Sequence, residues 1–233
     1  MSDNFKFFNE NLDSSINANY TGRAERNVFL ADYLSGVDQT TKIVNIGGGG
    51  ERHLQKALDN QQLDCSVIEL DIVGDCDYIV DLDQIDKLDF ASNSFDVACA
   101  TDVLEHLENF HLINSELLRI SAGHIIISLP VSSSEVVNIV RDKYASKDRN
   151  ENGIYSKFYG IPLSKPSDRH RWWMTFEDIV SFYREFASDH ECDLTFGLRK
   201  MNAKHTLLRY LLGQRLYYNF FCPYVWIFLR KRA

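Results

Sequence analysis

Residues 42–54, KIVNIGGGGERHL, constrain this chain more than any other stretch. A short apolar run, Ile43, Val44 and Ile46, leads straight into four glycines at 47–50 and then into a polar, helix-compatible segment. This reads as strand, tight turn, helix. Glycine reaches positive φ and carries no side chain, so a ligand can approach the backbone closely. Open α/β sheets bind their ligands at such a turn, at the carboxyl end of a strand. A plain connecting turn is the alternative, and four glycines directly after a strand weigh against it.

The rest of the chain alternates strands and helices. Apolar spacing at Val28, Phe29, Ala31 and Leu34 predicts a helix over 21–34, stopped near Gly36 and able to pack over the mouth of the sheet. A strand follows at 42–46, a helix at 50–59 and a second strand at 66–70, the last ending in Glu69 and Asp71. Further strands are expected at 78–80, 97–100 and 125–129, with a helix through Leu104, Leu107, Leu112 and Leu117. That order argues for a parallel sheet covered on both faces. Residues 131–174 are polar, basic and too long for a simple connection, so they read as a lid. Thr175 and Asp178 resemble a capping box that opens a helix reaching about Ala187. Then come a strand at 192–198, a helix at 203–218 and a last strand at 224–229.

Charge narrows the function classes. The net charge of −8 is uneven: residues 1–130 hold 8 Lys and Arg against 22 Asp and Glu, while 131–233 hold 17 against 11. The acidic front half argues against a nucleic-acid binder. The basic rear half is either a solvated surface or a face for an anionic acceptor. Five cysteines without any CxxC read as reduced thiols of a cytoplasmic protein, with no metal site among them. The N-terminus lacks the apolar core of a signal peptide, and the uncharged run 216–229 is short of the ~20 residues of a membrane span.

The glycine turn alone does not choose its ligand. A dinucleotide fingerprint would need glycine where Arg52 stands, and Glu51 at the helix start would repel a pyrophosphate. A nicotinamide oxidoreductase is disfavoured on both counts, and no P-loop follows the turn. Asp71 lies 22 residues after Gly49, a usual spacing for the acid that accepts from ribose hydroxyls. Taken in order, NIGGGG, ELD, VDL, NSFDVACATDVLEHL and HIIISLP resemble the class I S-adenosylmethionine-dependent methyltransferases, in the small-molecule branch that carries a DVLEH signature. The resemblance covers about residues 40–130 and implies a Rossmann-like, doubly wound α/β fold. Its seven-stranded sheet would have five parallel strands and a C-terminal antiparallel pair, with an inserted lid. It implies a single methyltransferase domain, with a cap at 1–40, a cofactor-binding half at 41–130, an acceptor lid at 131–174, and C-terminal helices and the strand pair at 175–233.

The same resemblance assigns roles by position. Gly47 and Gly49 would lie against the methionine part of S-adenosyl-L-methionine, Asp71 at the ribose, Asp81 at the adenine amino group with Leu82 beside the ring, and Thr101 and Asp102 at the methionine amino end. One position departs: the family has an acid where this chain has Asn45. Asn45 keeps a hydrogen-bonding group but loses a charge, so either Asp102 serves the ammonium or binding is weaker, which leaves room for a silent, cofactor-binding partner or regulator. A hydroxyl acceptor benefits from a general base, and histidine suits that task near neutral pH. His106 and His170 are the candidates, with a purely structural hydrogen bond as the alternative for His106.

His170 lies in DRHRWW, where Arg169, Arg171 and Trp172 suit an anionic or sugar-bearing acceptor. The alternative is that the tryptophans anchor the following helix and the arginines pair with the acidic front half. This segment resembles, more weakly, methyltransferase-like proteins of bacterial surface-polysaccharide biosynthesis. The expectation is therefore O-methylation of a sugar, glycan precursor or related small molecule, with a quinone or lipid acceptor as the rival. The aromatic stretch after His205, flanked by arginines and Lys231, reads either as packed helix and strand or as a peripheral contact with the inner face of a membrane.

Overall fold

The computed structural model describes residues 16–20, 22–37, 40–140, 169–200 and 202–232. Most of the expected lid lies outside the described residues. Eight strands form one sheet: β1 (Ile16–Asn17), β2 (Lys42–Ile46), β3 (Ser66–Asp71), β4 (Tyr78–Ile79), β5 (Phe95–Thr101), β6 (Ser121–Pro130), β7 (Cys192–Leu198) and β8 (Tyr224–Lys231). Their order is β1-β7-β8-β6-β5-β2-β3-β4. Strands β2 to β6 pair in parallel, as expected. β8 runs antiparallel to both β6 and β7, so it alone is reversed. The sheet thus has one strand more than the seven expected, because β1 adds to the β7 edge. A strand of two residues gives no periodicity to see.

Seven helices are described: α1 (Arg23–Leu34), α2 (His53–Asn60), α3 (Phe110–Ile120), α4 (Ser132–Val140), α5 (Phe176–Asp189), α6 (Ala203–Leu212) and α7 (Gln214–Phe221). The single helix expected over 203–218 is two, because Gly213 takes φ 77° between them. The reciprocal Thr175–Asp178 capping box opens α5 as its sequence indicates.

Side-chain alternation on the strands separates two cores. Val44, Ile46 and Leu70 face α3 and α5 with Ile113, Leu117 and Ile179. Ile43, Val67 and Cys99 face α1 and α2 with Leu30, Leu54 and Leu58. Helices on both faces bury the central strands β2, β5 and β6 over most of their length, which is why they read as near-continuous apolar runs. The carboxyl ends of β2, β3 and β5 then converge under the start of α1, and the candidate site lies there.

Candidate active site

The β2–α2 turn is the floor of this site. Gly47, Gly49 and Gly50 have φ of 72°, 81° and 65°. A Cβ on Gly47 would lie 2.5 Å from the Val103 side chain, and one on Gly49 would lie 2.4 Å from the Arg23 guanidinium. One on Gly50 would lie 2.6 Å from Gly74 Cα. At Gly47 and Gly50 only glycine meets both the dihedral and the clearance, whereas at Gly49 the dihedral alone asks for it, since the Arg23 guanidinium can swing aside.

Asp71 closes the turn. Its Oδ2 accepts from the Gly49 N–H at 2.7 Å, and its Oδ1 accepts from Ile72 N–H at 2.7 Å and Val73 N–H at 3.3 Å. A carboxylate has roughly four acceptor sites, so three backbone donors orient it without saturating it. Asp71 can still receive a hydroxyl.

Beneath the turn, Asn45 and Glu69 are partners in the β2–β3 register. They are 2% and 1% exposed, and Asn45 Nδ2 donates to Glu69 Oε1 at 3.4 Å. Burial pushes the Glu69 carboxyl up from its ordinary range, and the Asn45 bond draws it partly back. A Cβ on Gly48 would lie 3.1 Å from this carboxylate. A buried carboxylate thus stands one strand away from Asn45.

Asp102 leaves β5 with φ 50°, a left-handed conformation that Asp and Asn tolerate better than most residues. Its Oδ1 accepts from Ser128 Oγ at 2.6 Å, and its Oδ2 is ion-paired with Arg26 of α1. Arg26 is buried, so the Asp102 charge is already matched. Thr101 is buried beside it. Asp81 is exposed and caps a 3-10 turn through Asp83 N–H, while the Leu82 side chain is buried in the core.

The two candidate histidines meet although 64 residues separate them. His106 ends the 3-10 turn Leu104–His106, directly after β5. Its ring centroid is 4.6 Å from that of His170, edge to face at 87°. Three hydrogen bonds hold the two segments together: Arg171 N–H to Glu105 O at 2.7 Å, Trp172 Nε1–H to Leu107 O at 2.6 Å, and Arg171 Nη1 to Glu108 Oε1 at 3.1 Å. Trp172 also packs on Phe110. Arg171 and Trp172 thus act as anchors for the segment, and Arg169 is half-buried beside them.

Four residues at the site escaped the sequence reading as functional groups. Arg23 and Arg26 share one face of α1, an i,i+3 spacing in its first turn that was legible. Glu69 was visible as a strand-end acid, and Glu105 lies inside the DVLEH signature. Which way each side chain points required the register.

Residues 44–127 match the family model described as a methyltransferase domain, Methyltransf_11. No curated protein sequence matches the chain. Among solved structures, the small RNA methyltransferase HEN1 superposes with a TM-score of 0.58 at 13% identity, covering 94% of this chain and 26% of that one. The plantazolicin methyltransferase BpumL, solved with a monoazolic desmethylPZN analog and SAH, gives 0.54 at 13% identity over 90% and 83% of the two chains. An S-adenosylmethionine-dependent methyltransferase from Archaeoglobus fulgidus gives 0.53 at 13% identity over 90% and 95%. At these identities the likeness is one of fold.

Proposed function

Starting from residues 44–127 as a class I S-adenosylmethionine-dependent methyltransferase domain, we propose that this chain methylates a hydroxyl of a sugar, glycan precursor or related small molecule. The observation that carries this is the pair of imidazoles at the carboxyl end of β5, next to a glycine turn that Asp71 closes. S-adenosylmethionine, when bound, supplies a methyl on sulfonium that any well-placed nucleophile can take. The residues fit it: Asp71 receives the ribose hydroxyls, Asp81 the adenine amino group, and Gly47 and Gly49 the methionine part. Leu82 flanks the ring through its backbone, since its side chain is in the core. Thr101 lines the amino end. Glu69 supplies the negative charge for the ammonium that Asn45 lacks, because Asp102 already neutralises Arg26. Arg23, against the turn, faces the carboxylate.

A hydroxyl is a poor nucleophile until its proton is drawn away. His106 and His170 are placed to promote that loss, and Arg169 favours an anionic acceptor. A second reading rests on a cavity of about 180 Å³ lined by Phe110, Trp172, Trp173 and Phe182, which favours an apolar or lipid-linked acceptor. Incubation with methyl-labelled S-adenosylmethionine and panels of nucleotide sugars, glycolipids and quinols separates the two. Label in nucleotide sugars supports the sugar reading, label in glycolipids alone supports a lipid-linked glycan acceptor, and label in quinols alone overturns the sugar reading. Unchanged turnover in both His106→Ala and His170→Ala would remove the histidines from the chemistry.

A further inference from the structure

Glu105, His106 and His170 form a compact trio. One ligating atom of each lies within 4.8 Å of the others, and Glu105 Oε1 is 3.7 Å from His106 Nε2. Glu105 is 1% exposed and His170 7%. Two imidazoles and one carboxylate are the donor set of many catalytic zinc sites and of open non-haem iron sites. A first-row divalent ion with bonds of ~2.1 Å needs its ligands roughly 3.4 Å apart in tetrahedral geometry. The ligand atoms, within 4.8 Å of one another, must therefore close by up to about 1.4 Å when the ion binds.

We propose that Glu105, His106 and His170 bind one divalent transition-metal ion, and that a hydroxyl of the acceptor completes its coordination.

Three observations support this site. First, burial of a carboxylate is costly unless it is paired or coordinates a metal, and the groups that reach Glu105 here include an imidazole. Second, the bonds from Arg171 N–H to Glu105 O and from Trp172 Nε1 to Leu107 O bracket the trio. They fix His170 over the 3-10 turn from outside, as a preformed site requires. Third, the trio stands where an acceptor must be. Val103, two residues before Glu105, closes on Gly47, so the ion would lie beside the turn that holds the donor. Three protein ligands leave a position open, as catalytic sites do and structural ones do not.

The ion deepens the proposed function by giving the histidines a definite task. A hydroxyl bound to a divalent cation loses its proton to solvent water far more readily than a free one, as bound water does. The oxygen keeps the electron pair from that bond. The same pair forms the new O–C bond as the C–S bond breaks and sulfur keeps its electrons, so one proton is released per methyl transferred. The imidazoles then act as ligands, and no side chain has to carry the proton.

The test uses the full chain, stripped with EDTA and freed of chelator, without S-adenosylmethionine. ZnCl₂ is titrated by calorimetry, and CoCl₂ by visible absorption, whose intensity reports the coordination number. Wild type should bind one ion per chain, and His106→Ala and Glu105→Gln should each weaken binding by at least tenfold. His111→Ala, a histidine outside the trio, should bind as wild type. Thermal melting with and without ZnCl₂ separates lost binding from lost folding, since at equal ZnCl₂ the ion raises the melting temperature of wild type and His111→Ala more than that of the ligand variants. If Glu105→Gln fails to fold, His106→Ala decides, because its half-buried ring can be removed with less disturbance. Absence of stoichiometric binding, or affinity unchanged in His106→Ala, overturns the proposal. Because the proposal rests on the methyltransferase reading only for the role of the ion, the two fail separately. Metal binding without donor binding sinks that reading and keeps the site. Donor binding with turnover indifferent to EDTA sinks the ion's role in the transfer and leaves the histidines as direct bases.

Discussion

Asn45 stands where the sequence resemblance implies an acid, and Glu69 stands opposite it on β3. Two buried carboxylates side by side cannot both ionise cheaply. Asn45→Asp should therefore destabilise the protein by about 2 kcal/mol at pH 7 in urea unfolding, rather than improve it toward the family pattern. The pH dependence of Glu69 has a definite sign. Burial first, offset in part by the Asn45 bond, raises its folded pKa above 4.5. As pH rises from there, the unfolded chain ionises before the folded one, and stability falls until pH passes the folded value. Glu69→Gln should be the more stable protein at pH 7, with the gap closing below about pH 4. Equal stability at both pH values would contradict the assignment. At this scale the sequence showed Asn45 as a departure but not its remedy. Which side chains face each other across a sheet is set by register, and register follows from the whole apolar pattern.

Short elements and their contacts carry the next level. The segment 169–174 is held on the 3-10 turn after β5 by Arg171 and Trp172 together. Trp172→Phe keeps the packing and removes the bond to Leu107 O, so it should cost about 1 kcal/mol of stability. It should lower turnover by more than that loss explains, because His170 is freed from His106. A matching small loss in both would reduce Trp172 to a packing residue. On α6 no residue is buried, and Tyr210 and Leu211 are 84% and 69% exposed beside Arg209 and Lys204. An apolar face rimmed by cations suits an anionic lipid surface. Leu211→Asp should abolish co-sedimentation with phosphatidylserine vesicles if that contact exists, and absence of wild-type sedimentation would exclude it. Element type was legible where apolar spacing ran long, as in β7, whose bounds match the expected 192–198. It failed where one residue decides, as Gly213 does between α6 and α7, or where two residues make a strand, as in β1.

Across the whole molecule, the sheet order brings residues from α1, β2, β3, β5 and the segment before α5 to one edge. The glycine turn, Asp71 and the DVLEH signature were readable because each is local and backbone-bound. Arg26 on Asp102 and His170 on His106 were not, since each joins chain segments more than 60 residues apart. No helix among the described residues is long and apolar enough to cross a membrane. The division between an acidic front and a basic rear half remains a feature of the sequence that the acceptor has to explain.

The most direct measurement is calorimetry of S-adenosylmethionine and S-adenosylhomocysteine against wild type and Asp71→Ala. Wild type should bind both at one site. Asp71→Ala, with unchanged circular dichroism, should lose at least tenfold in affinity, about 1.4 kcal/mol. No saturable heat from the wild type, or equal affinity in the variant, would contradict the account.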